Sequence, residues 1–155
     1  MKLTITEIGC EILRDKIANK TKEAQELLEE IRIMRESSSS NEDNPDVSIL
    51  TNRYEVVLSE KATLQETLSK ATVVDVNLLK TDKVTFGLVV GIQDTDTEEM
   101  FQYRVVSPIE SDISKGMISY ESPIGRAMIG CRVGDVFDYD VRGKTHEFEV
   151  ISITK

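Results

Sequence analysis

Apolar side chains recur at alternating steps of four and three residues through the first part of the chain, at Leu13, Ile17, Lys20, Ala24, Leu27, Ile31 and Met34. The same steps return at Leu50, Tyr54, Val57, Lys61, Leu64, Leu68 and Ala71. Such spacing keeps one edge of a helix turned toward a partner helix, so each series reads as an a/d seam. Run antiparallel, the two seams pair end to end, from Met34 opposite Leu50 to Leu13 opposite Ala71. The pattern predicts one helical hairpin. Lys20 and Lys61 interrupt the seams, and a single polar residue at such a position commonly fixes register while its stem lies along apolar neighbours.

Between the seams stands a polar break, Ser37-Ser-Ser-Ser-Asn-Glu-Asp-Asn-Pro-Asp46. Serine and asparagine compete with the backbone for hydrogen bonds, and Pro45 disfavours a helical Asn44, so the chain turns here. Asn44 is suited to cap the second helix, with Pro45 in its first position and Asp46 favourable against the helix dipole. A first helix from about Ile8 to Glu36 is roughly 40 Å long. The acidic turn, 37–47, therefore lies at the far end of a rod.

From Ala71 onward the period shortens. Ala71–Val76, Val84–Val90, Met100–Val106, Met117–Tyr120, Val136–Val141 and His146–Ile153 are β-branched or alternating runs and read as strands. Gln93–Glu99 and Arg142–Lys144 read as hairpin turns. Ser122-Pro-Ile-Gly-Arg-Ala-Met-Ile-Gly130 offers a serine cap, a proline in the first helical position and a glycine after the end, which predicts a short helix. The expected class is α+β, with a coiled-coil hairpin over 1–73 and an antiparallel sheet domain with one short helix over 74–155.

Composition narrows the function. With 28 acidic and 19 basic residues the net charge is −9, which disfavours any mode that neutralises many phosphates. A role at nucleic acid is expected to be indirect. The chain holds 2 cysteines, Cys10 and Cys131, far apart in sequence, and 1 histidine, His146. Cys-rich zinc sites, redox pairs and Ser-His-Asp or Cys-His catalysis are therefore disfavoured, and carboxylates remain. No apolar run reaches the roughly 18 residues of a membrane span, and the first residues lack the apolar stretch of a signal peptide, so a soluble cytoplasmic protein without membrane contact is expected.

The candidate carboxylates are Glu42, Asp43 and Asp46 at the tip. Clustered carboxylates can share a hard cation such as Mg²⁺, whose remaining positions are filled by water or phosphate; a plain solvated loop is the alternative. Asp94, Asp96, Glu98 and Glu99 lack the spacing of a calcium loop and read as a hairpin turn. His146 reads as an exposed strand residue.

Lys83-Val-Thr-Phe-Gly87, Tyr103-Arg-Val-Val106, Ile118-Ser-Tyr-Glu-Ser-Pro-Ile-Gly-Arg-Ala-Met-Ile-Gly130 and Val133-Gly-Asp135 resemble the C-terminal domain of the bacterial Gre transcript-cleavage factors (GreA/GreB). Leu3-Thr-Ile-Thr-Glu-Ile-Gly9 and Ala71–Val76 resemble the two ends of that family's coiled coil. The resemblance implies a globular domain of the FK506-binding-protein type that docks on RNA polymerase, and a hairpin that passes down the secondary channel. The tip carboxylates Asp43, Glu42 and Asp46 would act in the polymerase active site, where Asp43 and Glu42 would help hold a second Mg²⁺ shared with the polymerase, not bound stably by the factor alone. The polymerase's own site then cleaves backtracked RNA, and contact with the RNA 3′ end is indirect. The factor is thus expected to be a monomeric accessory protein and not an enzyme, with Ser122, Pro123 and Arg126 implied as polymerase contacts.

The tip departs from the family pattern. Counting back from Ala71 without a gap puts Ser40 at the usual first acidic position and Asp43 at the second. A regulator or inhibitor that occupies the channel without stimulating cleavage is the alternative. A prolyl isomerase, suggested by the fold type alone, is disfavoured by an aromatic content of 5%.

Overall fold

The computed structural model describes residues 3–37 and 44–155. The chain divides into two units, Glu11–Lys70 and a second made of Met1–Cys10 with Ala71–Lys155. The expected class, a helical pair plus a sheet domain with a short helix, is the observed one. Residues 1–10, which the sequence division places with the hairpin, group with the C-terminal unit.

The first helix, α1, spans Glu7–Ser37, and α2 spans Pro45–Lys70. Asn44 opens α2 as expected. Its side-chain oxygen accepts from the Asp46 N–H at 3.0 Å and its carbonyl accepts from Val47 and Ser48, while Pro45 loses nothing in a position where its missing N–H has no partner. Ala24, Leu27 and Val57 form a buried cluster, and Leu50 and Tyr54 pack on it. Ile31 is buried as well. These are seam positions, whereas the apolar residues off the seam, Ile33, Ile49 and Val56, stay exposed. The four-and-three spacing thus marks the buried positions around Ala24, Leu27, Ile31 and Val57, while the seam residues Ile17, Leu64 and Leu68 are half-buried.

In the C-terminal unit, strand β1 (Thr4–Ile5) pairs in parallel with β2 (Thr72–Val73). Five further strands, β3 (Val89–Asp94), β4 (Met100–Val106), β5 (Met117–Ser119), β6 (Val136–Val141) and β7 (Lys144–Thr154), form one sheet in the order β5-β4-β3-β7-β6. Neighbours are antiparallel except β5, which runs parallel to β4. This corrects the expectation of a wholly antiparallel sheet. Alternation along Met117–Ser119 reports which side chains face the core and is the same for either direction; the direction is set by the 107–116 connection, which carries the chain back before β5 begins.

Two predicted strands are shortened. Ala71–Val76 pairs only over Thr72–Val73, because the Asp75 carboxylate accepts from the Asn77 N–H and starts a 3₁₀ turn at Val76–Leu78. Val84–Leu88 is a loop, since Gly87 takes φ +90° and turns the chain before β3. Val84 and Leu88 are nevertheless fully buried, and with Val90, Ile92, Val105, Met128, Phe137, Phe148 and Val150 they belong to the core that the sheet and helix α3 (Pro123–Met128) share. Phe137 and Phe148 stack with centroids 5.7 Å apart, and this pair compensates for the sparse aromatic content of the chain.

Candidate functional site

The sequence points to two places, the far end of the hairpin and the α3 turn, and the structure treats them differently. At the hairpin end α1 runs to Ser37 and α2 starts at Pro45. Asp46 is exposed in the first turn of α2, where a carboxylate is favoured by the helix dipole. Ser40, Glu42 and Asp43 lie outside the described residues. Among the described residues no group of three or more His, Cys, Asp or Glu side chains could hold a metal ion. As a donor set, Glu42, Asp43 and Asp46 offer hard carboxylate oxygens only, which suits Mg²⁺ and not a soft metal.

Behind the tip the helices are joined by charge as well as by the seam. Lys20 Nζ stands 2.6 Å from Glu60 Oε2 on the other helix and 3.3 Å from Glu23 Oε2 on its own. Glu23 also receives Arg53 across the hairpin at 3.5 Å. The hydrogen bond to Glu60, then that to Glu23, raises the Lys20 pKa above its ordinary value. Lys20 thus makes a cross-helix pair, where the seam spacing flags a polar position without naming the partner. Elsewhere on α1, Arg32 bridges Glu29 and Glu36 along one exposed face. Its hydrogen bonds lower the Glu29 pKa, but screened pairs of this kind contribute little to stability.

At the second place Ser122 caps α3. Its Oγ accepts from the Gly125 N–H at 3.1 Å and donates to the Ser119 carbonyl at 2.6 Å. A Cβ on Gly125 would overlap that same carbonyl oxygen, so only glycine lets the helix sit this close to β5. The Ser122 hydroxyl is thus engaged in the fold, while Pro123 and Arg126 are exposed. Of the three residues implied as partner contacts, these two present their side chains outward.

Two polar constellations were not legible from motif reading. The first is Glu110, 2% exposed. Its carboxylate accepts from the Thr6 N–H at 3.2 Å and from the Thr6 hydroxyl on one oxygen. On the other it accepts from the Ser107 N–H at 3.1 Å and the Ser107 hydroxyl at 2.6 Å. Thr6 Oγ1 in turn accepts from the Gly9 N–H in the first turn of α1. The one available signal is the Ser107-x-x-Glu110 spacing, that of a capping box, in which the acid reaches back to the serine N–H.

The second is Asp94 with His146. Asp94 is 5% exposed and accepts from the N–H groups of Asp96 at 2.8 Å and Thr97 at 3.1 Å. Its other oxygen lies 3.3 Å from His146 Nδ1. His146 is therefore half-buried and partnered, not the exposed strand residue expected. The Asp94 pKa is lowered, chiefly by the Thr97 and Asp96 N–H groups and then by His146. A lowered carboxylate pKa contributes stability that is complete above the unfolded value and is lost as pH falls through the folded one. Thermal melting followed by circular dichroism is expected to drop below the ordinary aspartate value of 3.8. Asp94→Asn should flatten that part of the profile; an unchanged acid limb would refute the assignment.

The fold defines a class: a paired-helix hairpin inserted in the sequence of a mixed five-stranded sheet domain that carries one short, serine-capped helix. The comparisons agree. The family model described as "Transcription elongation factor, GreA/GreB, C-term" matches residues 79–155. Transcription elongation factor GreA of Trichlorobacter lovleyi is 33% identical over 152 residues, 97% of this chain and 96% of that protein. GreA of Bartonella tribocorum is 40% identical over 90 residues, where the match spans 58% of this chain and only 57% of the relative's length. Among solved structures, GreA factor homolog 1 (Gfh1) of Thermus thermophilus is 26% identical, covers 100% of both chains and superposes with a TM-score of 0.46. The chain belongs to the GreA/GreB family of transcription elongation factors.

Proposed function

We propose that this chain is a cytoplasmic elongation factor that binds RNA polymerase, inserts its hairpin through the secondary channel and stimulates Mg²⁺-dependent cleavage of backtracked RNA by the polymerase active centre. The observation that carries this reading is the near full-length likeness to GreA, which takes in the hairpin as well as the C-terminal domain. The geometry supports it, because a paired-helix arm that buries its apolar cluster around Ala24, Leu27, Ile31 and Val57 can enter an aqueous passage without exposing that cluster. The chain acts here as an accessory monomer and the polymerase carries out the hydrolysis. Glu42, Asp43 and Asp46 would hold the ion; bound Mg²⁺ clamps the attacking and leaving oxygens of a phosphodiester. Pro123 and Arg126 are the outward residues of α3 for docking on the polymerase, and contact with the RNA 3′ end is indirect.

A specific observation favours a second reading, that of a regulator which occupies the channel without promoting hydrolysis. Ser40 stands where the family pattern has its first acid. Purified polymerase halted in a backtracked complex separates the two readings: RNA shortened after addition of the protein and Mg²⁺ supports the first, and intact RNA with slowed nucleotide addition supports the second. Ser40→Asp is expected to raise the cleavage rate in this assay, since it returns a carboxylate to that position. No increase would mean that Glu42 already serves or that the protein inhibits.

A further inference from the structure

Burial along the hairpin is uneven. Ala24, Leu27, Ile31 and Val57 are buried and lie in one section of it, where Leu50 and Tyr54 complete the packing. Over residues 14–23 and 58–70 no side chain is buried. The seam residues of that second section, Ile17, Lys20, Lys61, Leu64 and Leu68, reach only half-burial. A groove of about 730 Å³ opens between the helices at the same level, lined by Lys16, Lys20, Ser59, Glu60 and Leu64 among others.

Among the described residues, hydroxyl back-bonds onto helix carbonyls are denser in this section than around the apolar cluster, where Thr51 Oγ1 makes one to Val47 at 2.7 Å. Thr63 Oγ1 donates to the Ser59 carbonyl at 3.0 Å, Thr67 Oγ1 to Thr63 at 2.8 Å and Ser69 Oγ to Glu66 at 2.8 Å. On α1, Thr21 Oγ1 donates to the Ile17 carbonyl at 2.9 Å. Hydroxyls that bond back onto helix carbonyls weaken and bend helices. The Lys20–Glu60 pair crosses the gap with side chains 31% and 49% exposed and therefore open to screening, and at the edge of the section Glu23 reaches Arg53 at 3.5 Å.

We infer that residues 14–23 and 58–70 form a compliant section of the hairpin, in which the helices part readily while the section around Ala24, Leu27 and Val57 stays closed. Few buried apolar contacts mean a small opening free energy, and the apolar cluster supplies what the polar section lacks. Such a section lets the tip-bearing part be redirected by a load without unwinding it. The inference goes beyond the polymerase reading and does not depend on it.

Hydrogen exchange of the full chain, read by mass spectrometry, tests this. Amides of 58–70 are expected to exchange at least about tenfold faster than those of 50–57. Raising the salt from dilute buffer to about 1 M should speed the first group several-fold and the second much less, because it screens the Lys20–Glu60 pair where no buried cluster backs it. Lys20→Leu combined with Lys61→Leu, which fills the seam, should slow the first group toward the second. Equal protection of the two sections, or protection that ignores both salt and the filled seam, overturns the proposal. If the double variant fails to fold, the wild-type exchange pattern and its salt response decide alone.

Discussion

Asp43→Ala is expected to abolish transcript shortening by a halted, backtracked polymerase while leaving affinity for the polymerase within a few-fold of the parent. The reasoning is chemical. On the proposed reading a tip carboxylate supplies an oxygen to a cation and nothing to docking, which falls to exposed residues of α3 such as Pro123 and Arg126. A ligand misplaced by about 1 Å already costs on the order of a hundredfold in rate, so its removal should take the activity to background. RNA length on a denaturing gel measures the first quantity, and competition with a labelled factor measures the second. Parallel loss of binding and activity would sink this division of labour. Full activity in the variant would move the metal-holding role to Glu42 or Asp46, or remove it from the tip altogether.

The second large effect concerns stability. Glu110→Ala leaves the N–H and hydroxyl of Thr6 and the N–H and hydroxyl of Ser107 without their acceptor in a site where the parent carboxylate is 2% exposed. Each buried donor left unsatisfied costs about 1–3 kcal/mol, so a total loss of about 3 kcal/mol or more is expected, and a melting temperature lower by roughly 10 °C. Glu110→Gln, which keeps one acceptor oxygen, should lose less.

Gly9 offers an independent check. A Cβ there would lie 2.7 Å from Glu110 Cδ and Oε1, so Gly9→Ala in the parent must push the carboxylate off its donors. Once Glu110 is Ala the added methyl has room. The two substitutions should therefore combine to less than their sum in a double-mutant cycle, and strict additivity would show that the two sites do not share this contact.

What the sequence makes legible is what repeats at short range. The seams announce the hairpin, because each position depends only on the residues three and four away. Asn44 and Ser122 announce helix starts, because a cap is a local hydrogen bond. Partners across long separations leave no such trace. The parallel pairing of β5 with β4 follows from the path of the 107–116 connection and not from alternation. Glu110 meets Thr6 across a sequence separation of 104 that includes the whole hairpin, and His146 meets Asp94 across a separation of 52 that includes β4, β5, α3 and β6. At the candidate site, the residue types at the tip and the helical start at α3 are readable from the chain alone. That the Ser122 hydroxyl is spent on the Gly125 and Ser119 backbone, leaving Pro123 and Arg126 outward, emerges only in three dimensions.

The pairing of Thr4 with Thr72 and Ile5 with Val73 makes the C-terminal unit discontinuous along the gene product, with the hairpin inserted inside it. During synthesis the opening strand leaves the ribosome long before its partner exists, and must wait, unpaired, while the whole insertion is translated. The hairpin needs no such delay, so it is expected to mature first and bring the two severed pieces of its host together. Dissection of the molecule inherits the same logic: scissors placed after residue 73 would strip the sheet domain of its own first strand, whereas cuts at 10/11 and 70/71 respect the native seam.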